Sequence, residues 1–565
     1  LKKAEIFLDG VHIFSAPDEF DQWKKTHYVN VPFTIEPGPH VMLVSVISEN
    51  SHPAVMAYSE KLSLKTDHNW LASTDGRNWS AAVPVSQTRQ LELSEKFPSS
   101  ISALKKIFPY LAGTFLIVFM ISFCVRSDSA QKRSWIWRLE PSHVRWVLLF
   151  LWAVLSLNNM IRLSFQAGSD VWGHVDYIGY IATKGSLPLF PEGWQMFHPP
   201  LNYLLSAPLY AVLIQWLDLP SVVKIMAIVP VICGLLQIEI VYRVGSLVFA
   251  EKKDLQVIAV IAGSLLPVHT YACQYVGNEP LAAFLISLTI LLCLPLVMPD
   301  QREQRYGYFI LLGIVLGLAL LAKMTALLMA PVLIIATAFH AQSVQKPLKY
   351  FMRAIIMMVL VSLLIAGWYY LRNYLMLGNP FPGVFDALVV MQWWQDPGYR
   401  LWSHLFSFGH AVIWPVFAGI TSFWDMFYST LWLDGLNSGL MDFIPWNENF
   451  MIAGALLALI PSLLMLIGII SMWTNKRSSH RHAVMFSTGV IVLFLAAMID
   501  MYMVCPVYSR TKASYTLGLL PCYAILMAAG AEPFLKNKIV RSIALALFAC
   551  WAVAAYCAYF VVKFQ

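Results

Sequence analysis

Long apolar stretches alternate with short polar segments through most of this chain of 565 residues. A helix needs about 20 mainly apolar residues to cross a membrane, and about twelve stretches approach or exceed that length. The pattern therefore predicts a mainly α-helical, polytopic membrane protein of about 12 transmembrane helices, in which 307–340 could also form one broken hairpin. The stretches are 107–125, 145–163, 221–248, 255–273, 280–298, 307–323, 325–340, 351–370, 449–473, 482–503, 514–531 and 541–562.

The first 98 residues follow a different pattern. Apolar and polar residues alternate with a period of two in short runs such as 4–8 and 41–46, and Asp9-Gly10, Pro37-Gly38-Pro39 and Asp75-Gly76 separate such runs. Short alternating runs with turn residues between them are typical of a β-sandwich. We therefore expect residues 1–98 to form a separate β-sandwich domain.

Lys and Arg residues concentrate in alternate loops between the apolar stretches. Because cytoplasmic loops carry the excess of basic residues, the basic clusters around 126–145, 243–253 and 346–353 are predicted to be cytoplasmic. Residues 1–98 and the loops 164–220 and 371–448 then lie outside the cytoplasmic membrane of a bacterium. An exported domain needs an upstream signal, so we expect the chain, which begins at Leu1, to be processed or truncated.

Two apolar stretches, 201–217 and 405–424, would reverse this charge bias if they crossed the membrane. We interpret both as interfacial or re-entrant helices within the outer loops. The predicted organisation has four parts. They are the β-sandwich at 1–98, an extra transmembrane helix and cytoplasmic linker at 99–142, a transmembrane core at 143–531 and a C-terminal transmembrane helix at 532–565.

The composition excludes a water-soluble enzyme, a disordered protein and a fibrous protein. The chain is 58% hydrophobic and 13% charged, with a mean hydropathy of +0.62, whereas soluble proteins carry about 25% charged residues. The net charge of +7 comes from short clusters between apolar runs, which does not indicate a nucleic-acid partner. The 8 cysteines form no Cys-x-x-Cys pair and are not typical of a disulfide framework or a zinc site.

The first outer loop holds a carboxylate, an imidazole and a phenol at helical spacing. Asp170, His174 and Tyr177 are four and three positions apart, so on a helix they share one face. A carboxylate beside an imidazole could act as a general base or hold a cation. The alternative is a solvated loop in which Asp170 only caps a helix.

Further candidate residues lie on the same predicted side. Glu279 follows Asn278 and opens an apolar stretch, which also suits a simple helix cap. Arg372 lies where a stretch ends, and Arg510 and Lys512 precede Tyr515 at the start of another. Basic side chains at this outer interface could bind phosphate, or they could be snorkelling anchors for lipid headgroups.

The order of these motifs resembles the signature of GT-C fold glycosyltransferases, which are integral membrane enzymes that take a sugar from a polyprenyl-phosphate carrier. The relatives include aminoarabinose transferases and protein O-mannosyltransferases. The resemblance covers about residues 143–531. It is carried by Asp170…His174…Tyr177, His198-Pro199-Pro200, Asn278-Glu279, residues 367–374 with Gly378-Asn379-Pro380, and the stretch 510–521.

The resemblance implies an inverting transfer of sugar, with roles for specific residues. Asp170 is expected to be the base, while Glu279 and His174 orient the acceptor. No cofactor is certain, although Asp170 and Glu279 could hold a divalent metal cation. The donor phosphate is expected to contact Arg510, Lys512, Arg372 and His198, and the sugar or acceptor to contact Tyr177, Trp194, Asn278 and Tyr515.

Two departures from the family pattern affect these roles. Many relatives have two adjacent acids, whereas here Asp170 is followed by Val171, which leaves metal dependence open. Some relatives have Lys-Pro where this chain has His198-Pro199, which suggests an imidazole contact to phosphate.

The implied partners are a polyprenyl-phosphate-linked sugar donor, membrane lipids and an acceptor that is a glycan, a lipid or a protein. Residues 70–79, with Trp70 and Trp79, resemble part of galactose-binding-like jelly rolls. The N-terminal domain could therefore bind carbohydrate, or it could be a structural cap. Two other functions stay open for the whole chain, a polytopic transporter and a non-catalytic, glycan-binding scaffold subunit.

Overall fold

The structure is a computed structural model that describes residues 3–16, 28–47, 55–59, 61–67, 69–82, 97–124, 140–298, 303–383, 403–440, 443–474, 478–504 and 511–563. Arg510, one of the predicted phosphate ligands, lies outside the described residues.

Helices dominate the described part of the chain. Their bounds are α1 Ser100–Cys124, α2 Pro141–Arg162, α3 Val171–Lys184, α4 Leu201–Leu213, α5 Leu219–Met226, α6 Ile228–Val248, α7 Lys253–Ser264, α8 Pro267–Ala272, α9 Glu279–Val297, α10 Tyr306–Ala322, α11 Met329–Ser343, α12 Leu348–Leu377, α13 Ser403–Phe406, α14 His410–Ile413, α15 Phe423–Trp432, α16 Glu448–Leu457, α17 Leu459–Thr474, α18 Arg481–Val504, α19 Leu520–Ala531 and α20 Lys538–Tyr559. Short 3₁₀ segments extend several of them, including Met324–Leu328 before α11 and Ala513–Leu519 before α19.

Ten helical segments among the described residues are long and apolar enough to cross a membrane. Two shorter apolar helices, α4 and α10, accompany them. The predicted class, a polytopic α-helical membrane protein, is therefore confirmed, but the predicted number of about 12 spans is not.

Proline and glycine explain where the structure departs from the predicted helices. The predicted span 255–273 divides into α7 and α8, because Pro267 lacks an amide hydrogen and starts a new helix. The predicted single helix over 405–424 is wrong, since this segment breaks into short helices around Gly409, Pro415 and Gly419. The stretch after Pro200 forms the 13-residue helix α4, about 20 Å long.

Small antiparallel sheets form the described part of the N-terminal region. The strands β1 Lys3–Leu8, β2 Val11–Ser15 and β3 Met42–Ile47 pair in the order β2-β1-β3. The strand pairs Tyr58–Ser59 with Leu64–Lys65 and Leu71–Ala72 with Ser80–Ala81 form two separate ribbons. This confirms short strands, but a two-sheet sandwich is not confirmed.

The helices α3 and α4 pack against each other within the loop 164–220. The rings of Tyr177 on α3 and Tyr203 on α4 are stacked, with their centroids 3.8 Å apart. Val175, Ile178 and Ala207 are buried in the same apolar cluster. Because aromatic stacking and apolar burial both hold the pair, the residues at the N-terminus of α3 have a fixed position.

Candidate active site

A cavity of about 460 Å³ brings together most of the predicted site residues. Its lining comes from the loop 164–220, from the N-termini of α9 and of the 3₁₀ segment before α11, from α12 and α18, and from the segment before α19. Eight of the eleven predicted residues line it: Asp170, His174, Trp194, His198, Asn278, Glu279, Lys512 and Tyr515.

Asp170 and Lys512 form an ion pair in the wall of the cavity. The Lys512 Nζ atom lies 3.5 Å from Asp170 Oδ2, and 41% of the Asp170 side chain is exposed. Asp170 occupies the N-cap position of α3 without a side-chain capping bond, so the structure does not support the capping alternative. The Lys512 ammonium, with smaller contributions from His174 and Trp194, lowers the pKa of Asp170.

The backbone before Asp170 is fixed by a turn that is distant in the sequence. The Gly168 amide donates to the Ser438 carbonyl at 3.0 Å, and Gly168 has φ +137°, which disfavours other residues. A Cβ at Gly168 would lie 2.7 Å from the Tyr275 ring. Asp170 itself adopts φ 60°, and such uncommon backbone conformations persist only where the surroundings enforce them.

His174 is buried beside Asp170 and bonded to α4. Its Nδ1 atom and the Tyr203 hydroxyl are 2.9 Å apart, and the ring is 5% exposed. Burial lowers the pKa of His174 to about 4. The imidazole is thus neutral at physiological pH and suited to orienting a group by hydrogen bonding.

Tyr177 is not among the residues that line the cavity, but it contacts the backbone of one that does. Its hydroxyl donates to the His198 carbonyl at 3.3 Å, and Tyr369 on α12 donates to the same carbonyl at 3.0 Å. These bonds hold the backbone at His198. The geometry favours a positioning role for Tyr177 over the predicted contact with sugar or acceptor.

Glu279 forms the second ion pair of the cavity, with Lys323. The Lys323 ammonium contacts Glu279 Oε1, and the side chains are 6% exposed for Lys323 and 23% exposed for Glu279. Lys323 also lies over the Tyr515 ring, 4.8 Å from its centroid. A lysine this deeply buried needs a partner, so the carboxylate, the ammonium and the aromatic ring form one unit.

Lys323 was not predicted as a site residue, although it lines the cavity. In the sequence it is a single cation at the end of the apolar stretch 307–323, just before the stretch 325–340. The signal that could have identified it is this position, because an ionisable residue enclosed by membrane-length apolar runs is commonly functional.

Arg372 is placed differently from the prediction. Its Nη2 atom donates to the carbonyls of Leu187 and Pro188 at 2.8 and 3.2 Å, and Arg372 is not among the cavity-lining residues. The geometry therefore favours a role in holding the loop 164–220 over direct contact with the donor phosphate.

Replacing Arg372 with Met tests this placement. We expect a lower unfolding temperature and slower sugar transfer, because the loop that carries Trp194 and His198 loses two hydrogen bonds to Arg372. Loss of a direct charged contact to phosphate lowers affinity by about tenfold or more. The affinity of this variant for polyprenyl phosphate is expected to fall by less than that. Arg162→Met is the control, since Arg162 donates to the Val562 carbonyl at 2.6 Å and does not line the cavity. A larger loss of affinity in Arg372→Met alone would restore the direct role.

Asp434 is a second cavity residue that the sequence did not predict. It is 2% exposed, and its Oδ2 atom accepts hydrogen bonds from Ser438 Oγ at 2.6 Å and Trp446 Nε1 at 2.7 Å. Burial raises the pKa of Asp434. Since the same turn provides the carbonyl that holds Gly168, Asp434 contributes to the position of Asp170.

The donor set does not fit a divalent metal cation. The described residues contain no group of three or more His, Cys, Asp or Glu side chains that could hold a metal ion. The two predicted ligands, Asp170 and Glu279, each face a lysine ammonium, whereas divalent cations are bound by several oxygen ligands. In this cavity the positive charge beside each carboxylate therefore comes from a lysine and not from a metal ion.

The cavity also has a wide apolar side. Met324 and Leu328 contribute from the segment before α11, and Phe494, Met498 and Met501 contribute from α18. Both segments belong to helices of membrane-spanning length. A cavity with ion pairs at one part and apolar spans at another suits an amphiphile with an anionic headgroup and a hydrocarbon chain.

Residues 208–366 match the family model of dolichyl-phosphate-mannose-protein mannosyltransferases. The matched segment includes Asn278, Glu279 and Lys323 but neither Asp170 nor Lys512. The match confirms, over this segment, the predicted resemblance to membrane glycosyltransferases of the GT-C class. None of the curated proteins matches the chain.

Two solved structures of membrane enzymes show low similarity to this chain. The oligosaccharyltransferase AglB from Archaeoglobus fulgidus, in complex with an inhibitory peptide and a dolichol-phosphate, is 16% identical with a TM-score of 0.48, over 76% of this chain and 57% of AglB. ArnT from Cupriavidus metallidurans, bound to undecaprenyl phosphate, is 16% identical with a TM-score of 0.32, over 69% of this chain and 76% of ArnT. The chain thus spans little more than half of the length of AglB.

Proposed function

We propose that this chain transfers a sugar, with inversion, from a polyprenyl-phosphate donor to a hydroxyl group of an extracytoplasmic acceptor. The observation that carries the proposal is the pairing of two carboxylates with two lysines in one cavity, Asp170 with Lys512 and Glu279 with Lys323. The acceptor is a glycan, a lipid or a protein. The proposed location is the outer side of a bacterial cytoplasmic membrane, with residues 1–98 on the same side.

The reaction needs a base next to the acceptor hydroxyl. Asp170 is held at the cavity by the Gly168–Ser438 bond, and its low pKa keeps it ionised at neutral pH. The hydroxyl oxygen attacks the anomeric carbon and its proton passes to Asp170. The bond between that carbon and the phosphate oxygen breaks, and the electron pair stays on the lipid phosphate. A single displacement of this kind inverts the anomeric centre.

The leaving group is a lipid phosphate, which is a stable anion. It therefore needs cations that stabilise its charge rather than an acid that protonates it. Lys512 and Lys323 line the cavity, and preorganised cations aimed at developing charge lower the barrier. His198 lines the same cavity, and we propose it as a third contact to phosphate. Arg510 keeps its predicted phosphate role as a proposal.

The remaining cavity residues orient the reactants. Neutral His174 is placed beside Asp170, where it can position the acceptor hydroxyl. Glu279 holds the Lys323 ammonium in place. Trp194 is 42% exposed and Tyr515 lies at the Lys323 ammonium, so both can form apolar contacts with a sugar ring.

Two measurements test the proposal. Purified protein incubated with a radiolabelled sugar on a polyprenyl phosphate should move the label to an acceptor from the same membranes. Failure to transfer, together with retained glycan binding, would favour the scaffold alternative. Vesicle uptake of a sugar without covalent transfer would favour the transporter alternative.

Replacing Lys512 with Met is expected to shift the pH dependence of transfer. Asp170 must be ionised to accept the proton, so activity is lost as the pH falls through its pKa, which Lys512 holds below the ordinary value of 3.8. Without the ammonium the pKa of Asp170 rises, and the acid limb of the pH–rate profile moves to higher pH. Profiles of both proteins from about pH 2.5 to about pH 8 cover the acid limb of each and measure the shift. An acid limb at an unchanged pH would remove Asp170 from the base role.

A further inference from the structure

The hydroxyl group of Thr430 bonds to the segment that carries Lys512. Thr430 lies on α15, is 1% exposed and lines the cavity. Its Oγ1 atom accepts a hydrogen bond from the Ala513 amide at 2.8 Å, across 83 positions of the sequence. The same hydroxyl donates its proton to the Met426 carbonyl at 2.7 Å. It therefore joins α15 to the segment before α19.

The Ala513 amide needs a partner from outside its own segment. Ala513 is buried and begins the 3₁₀ segment Ala513–Leu519, in which Lys512 occupies the N-cap position without a side-chain capping bond. The first amides of a helix have no acceptor within that helix, and a buried amide without an acceptor lowers stability. Thr430 supplies this acceptor from a helix that is distant in the sequence.

This hydrogen bond restrains the backbone at Lys512. The Ala513 amide and the Lys512 carbonyl belong to one planar peptide unit, so a bond that holds the amide also holds the orientation of the carbonyl. That carbonyl accepts a second hydrogen bond, from the Tyr515 amide at 3.1 Å. Because both polar groups of the peptide unit are bonded, the Lys512 side chain starts from a fixed point. Its Nζ atom lies 3.5 Å from Asp170 Oδ2.

Thr430 is itself held in place from two directions. The Tyr271 hydroxyl on α8 donates to the Thr430 carbonyl at 2.6 Å. In the first turn of α15, the buried Asp425 carboxylate accepts hydrogen bonds from the amides of Gly409 and Ala411, each at 2.9 Å. A β-branched side chain on a helix has few rotamers, and Thr430 adopts one whose hydroxyl bonds within α15. The hydroxyl therefore has a fixed position before any substrate binds.

We propose that Thr430 is a positioning residue for the transfer reaction, which holds the Lys512 ammonium beside Asp170 through the amide of Ala513. The inference rests on the proposed function, in which Asp170 accepts the proton and Lys512 contacts the leaving phosphate. The Thr430 hydroxyl takes no part in the bond changes. Its removal leaves both charged groups in the cavity but releases the backbone that fixes the distance between them.

Variants of the full chain in detergent separate positioning from packing. Thr430→Val keeps the branched shape and removes the acceptor for the Ala513 amide, whereas Thr430→Ser keeps the acceptor and removes a methyl group. Tyr428→Phe is the matched control, since Tyr428 lies on the same helix, donates to the Ala455 carbonyl at 2.7 Å and does not line the cavity. If Thr430→Val does not fold, Thr430→Cys takes its place, because a thiol is only a weak acceptor.

The first measurement is the pH dependence of sugar transfer. Lys512 is the main cause of the low pKa of Asp170, with a smaller contribution from His174. When the ammonium moves away in Thr430→Val, the pKa of Asp170 rises and the acid limb moves to higher pH. The shift should be smaller than in Lys512→Met, which removes the ammonium. We expect kcat to fall about three- to tenfold, as for one lost hydrogen bond, while Thr430→Ser and Tyr428→Phe keep the acid limb of the unmodified protein.

The second measurement does not depend on sugar transfer. Dicyclohexylcarbodiimide reacts with protonated carboxyl groups, so the pH dependence of its reaction with Asp170, followed by mass spectrometry of the digested chain, reports the pKa of that carboxyl. Labelling should extend to higher pH in Thr430→Val and in Lys512→Met, but not in Thr430→Ser or Tyr428→Phe. Adding Thr430→Val to Lys512→Met should leave the labelling curve of Lys512→Met unchanged, because no ammonium is left to position.

The labelling curves and the acid limbs together decide the inference. An unchanged curve and an unchanged acid limb in Thr430→Val would refute it. An equal shift in Tyr428→Phe would reduce Thr430 to a packing role. A further shift when Thr430→Val is added to Lys512→Met would show that the hydroxyl acts on Asp170 by another route. If labelling shifts as expected but the unmodified protein transfers no sugar, the proposed function fails, whereas the positioning of Lys512 by Thr430 is confirmed.

Discussion

Replacing Asp170 with Asn is expected to lower the rate of sugar transfer by about 10²–10⁴-fold, the usual contribution of a general base. The amide cannot accept the acceptor's proton, although its shape is nearly that of the carboxylate. Asp170 makes no capping bond to α3, so the fold does not depend on its charge through that route. The loss should therefore appear mainly in kcat.

Binding of polyprenyl phosphate provides the internal control for this variant. Asp170 is negatively charged and pairs with Lys512, so its neutralisation frees that ammonium for an anion. The affinity for the lipid phosphate should thus stay the same or increase. Asp176→Asn is the matched control, because Asp176 is an exposed residue of the same helix and does not line the cavity.

Measured transfer rates and unfolding temperatures decide the outcome for Asp170. A well-folded Asp170→Asn protein with nearly full kcat would show that another group accepts the proton. His174 would be a weak candidate, because it is already bonded to Tyr203 and its neutral ring is buried. Glu279 would then become the next residue to test.

The sequence predicted the fold class because membrane spans are specified locally. Twenty consecutive apolar residues indicate a span whatever surrounds them, so α1, α9 and α12 could be recognised directly. The boundaries at Pro267 and Gly409 were harder to predict, because a run of apolar residues hides a break. The predicted number of about 12 spans is not confirmed: the described residues contain 10 helical segments of spanning length, and α10, which was predicted as a span, has 17 residues.

The site residues that the sequence predicted are those whose motif order and predicted side of the membrane agreed. The residues that it missed depend on contacts between distant parts of the chain. Asp170, Glu279 and Lys512 were identified from the order of their motifs and from their predicted location on one side of the membrane. The direction of a guanidinium is not written in the sequence, so Arg372 was assigned to phosphate although it bonds to the carbonyls of Leu187 and Pro188. Asp434 was missed because no local pattern indicates that its turn holds Gly168.

Single and double substitutions of the Glu279–Lys323 pair are expected to change the free energy of unfolding and the rate of sugar transfer independently. Lys323 is the more buried partner, at 6% exposed against 23% for Glu279. Removing one member of a buried pair costs about 3–5 kcal/mol, because the other charge is left without a partner. Since the more buried charge is the harder one to leave unpaired, Glu279→Gln should lower the free energy of unfolding more than Lys323→Met does.

The double variant Lys323→Met with Glu279→Gln is expected to regain most of the lost stability. Neither side chain is then charged, and replacing a buried ion pair by uncharged groups is often neutral for the free energy of unfolding. Sugar transfer should not return, because the cation proposed to stabilise the leaving phosphate is absent. We expect the double variant to bind polyprenyl phosphate about 10–100-fold more weakly, as for a lost charged hydrogen bond.

The comparison between the single and double variants distinguishes a catalytic pair from a structural one. If the pair only supports the fold, the double variant should regain stability and transfer together. If Lys323 binds the phosphate, stability returns while kcat and lipid affinity stay low. Glu239 provides the control, because it pairs with Arg145 at 3.2 Å and with Arg243 at 2.8 Å and none of the three residues lines the cavity. Replacing Glu239 with Gln should change stability without a separate effect on the affinity for lipid phosphate.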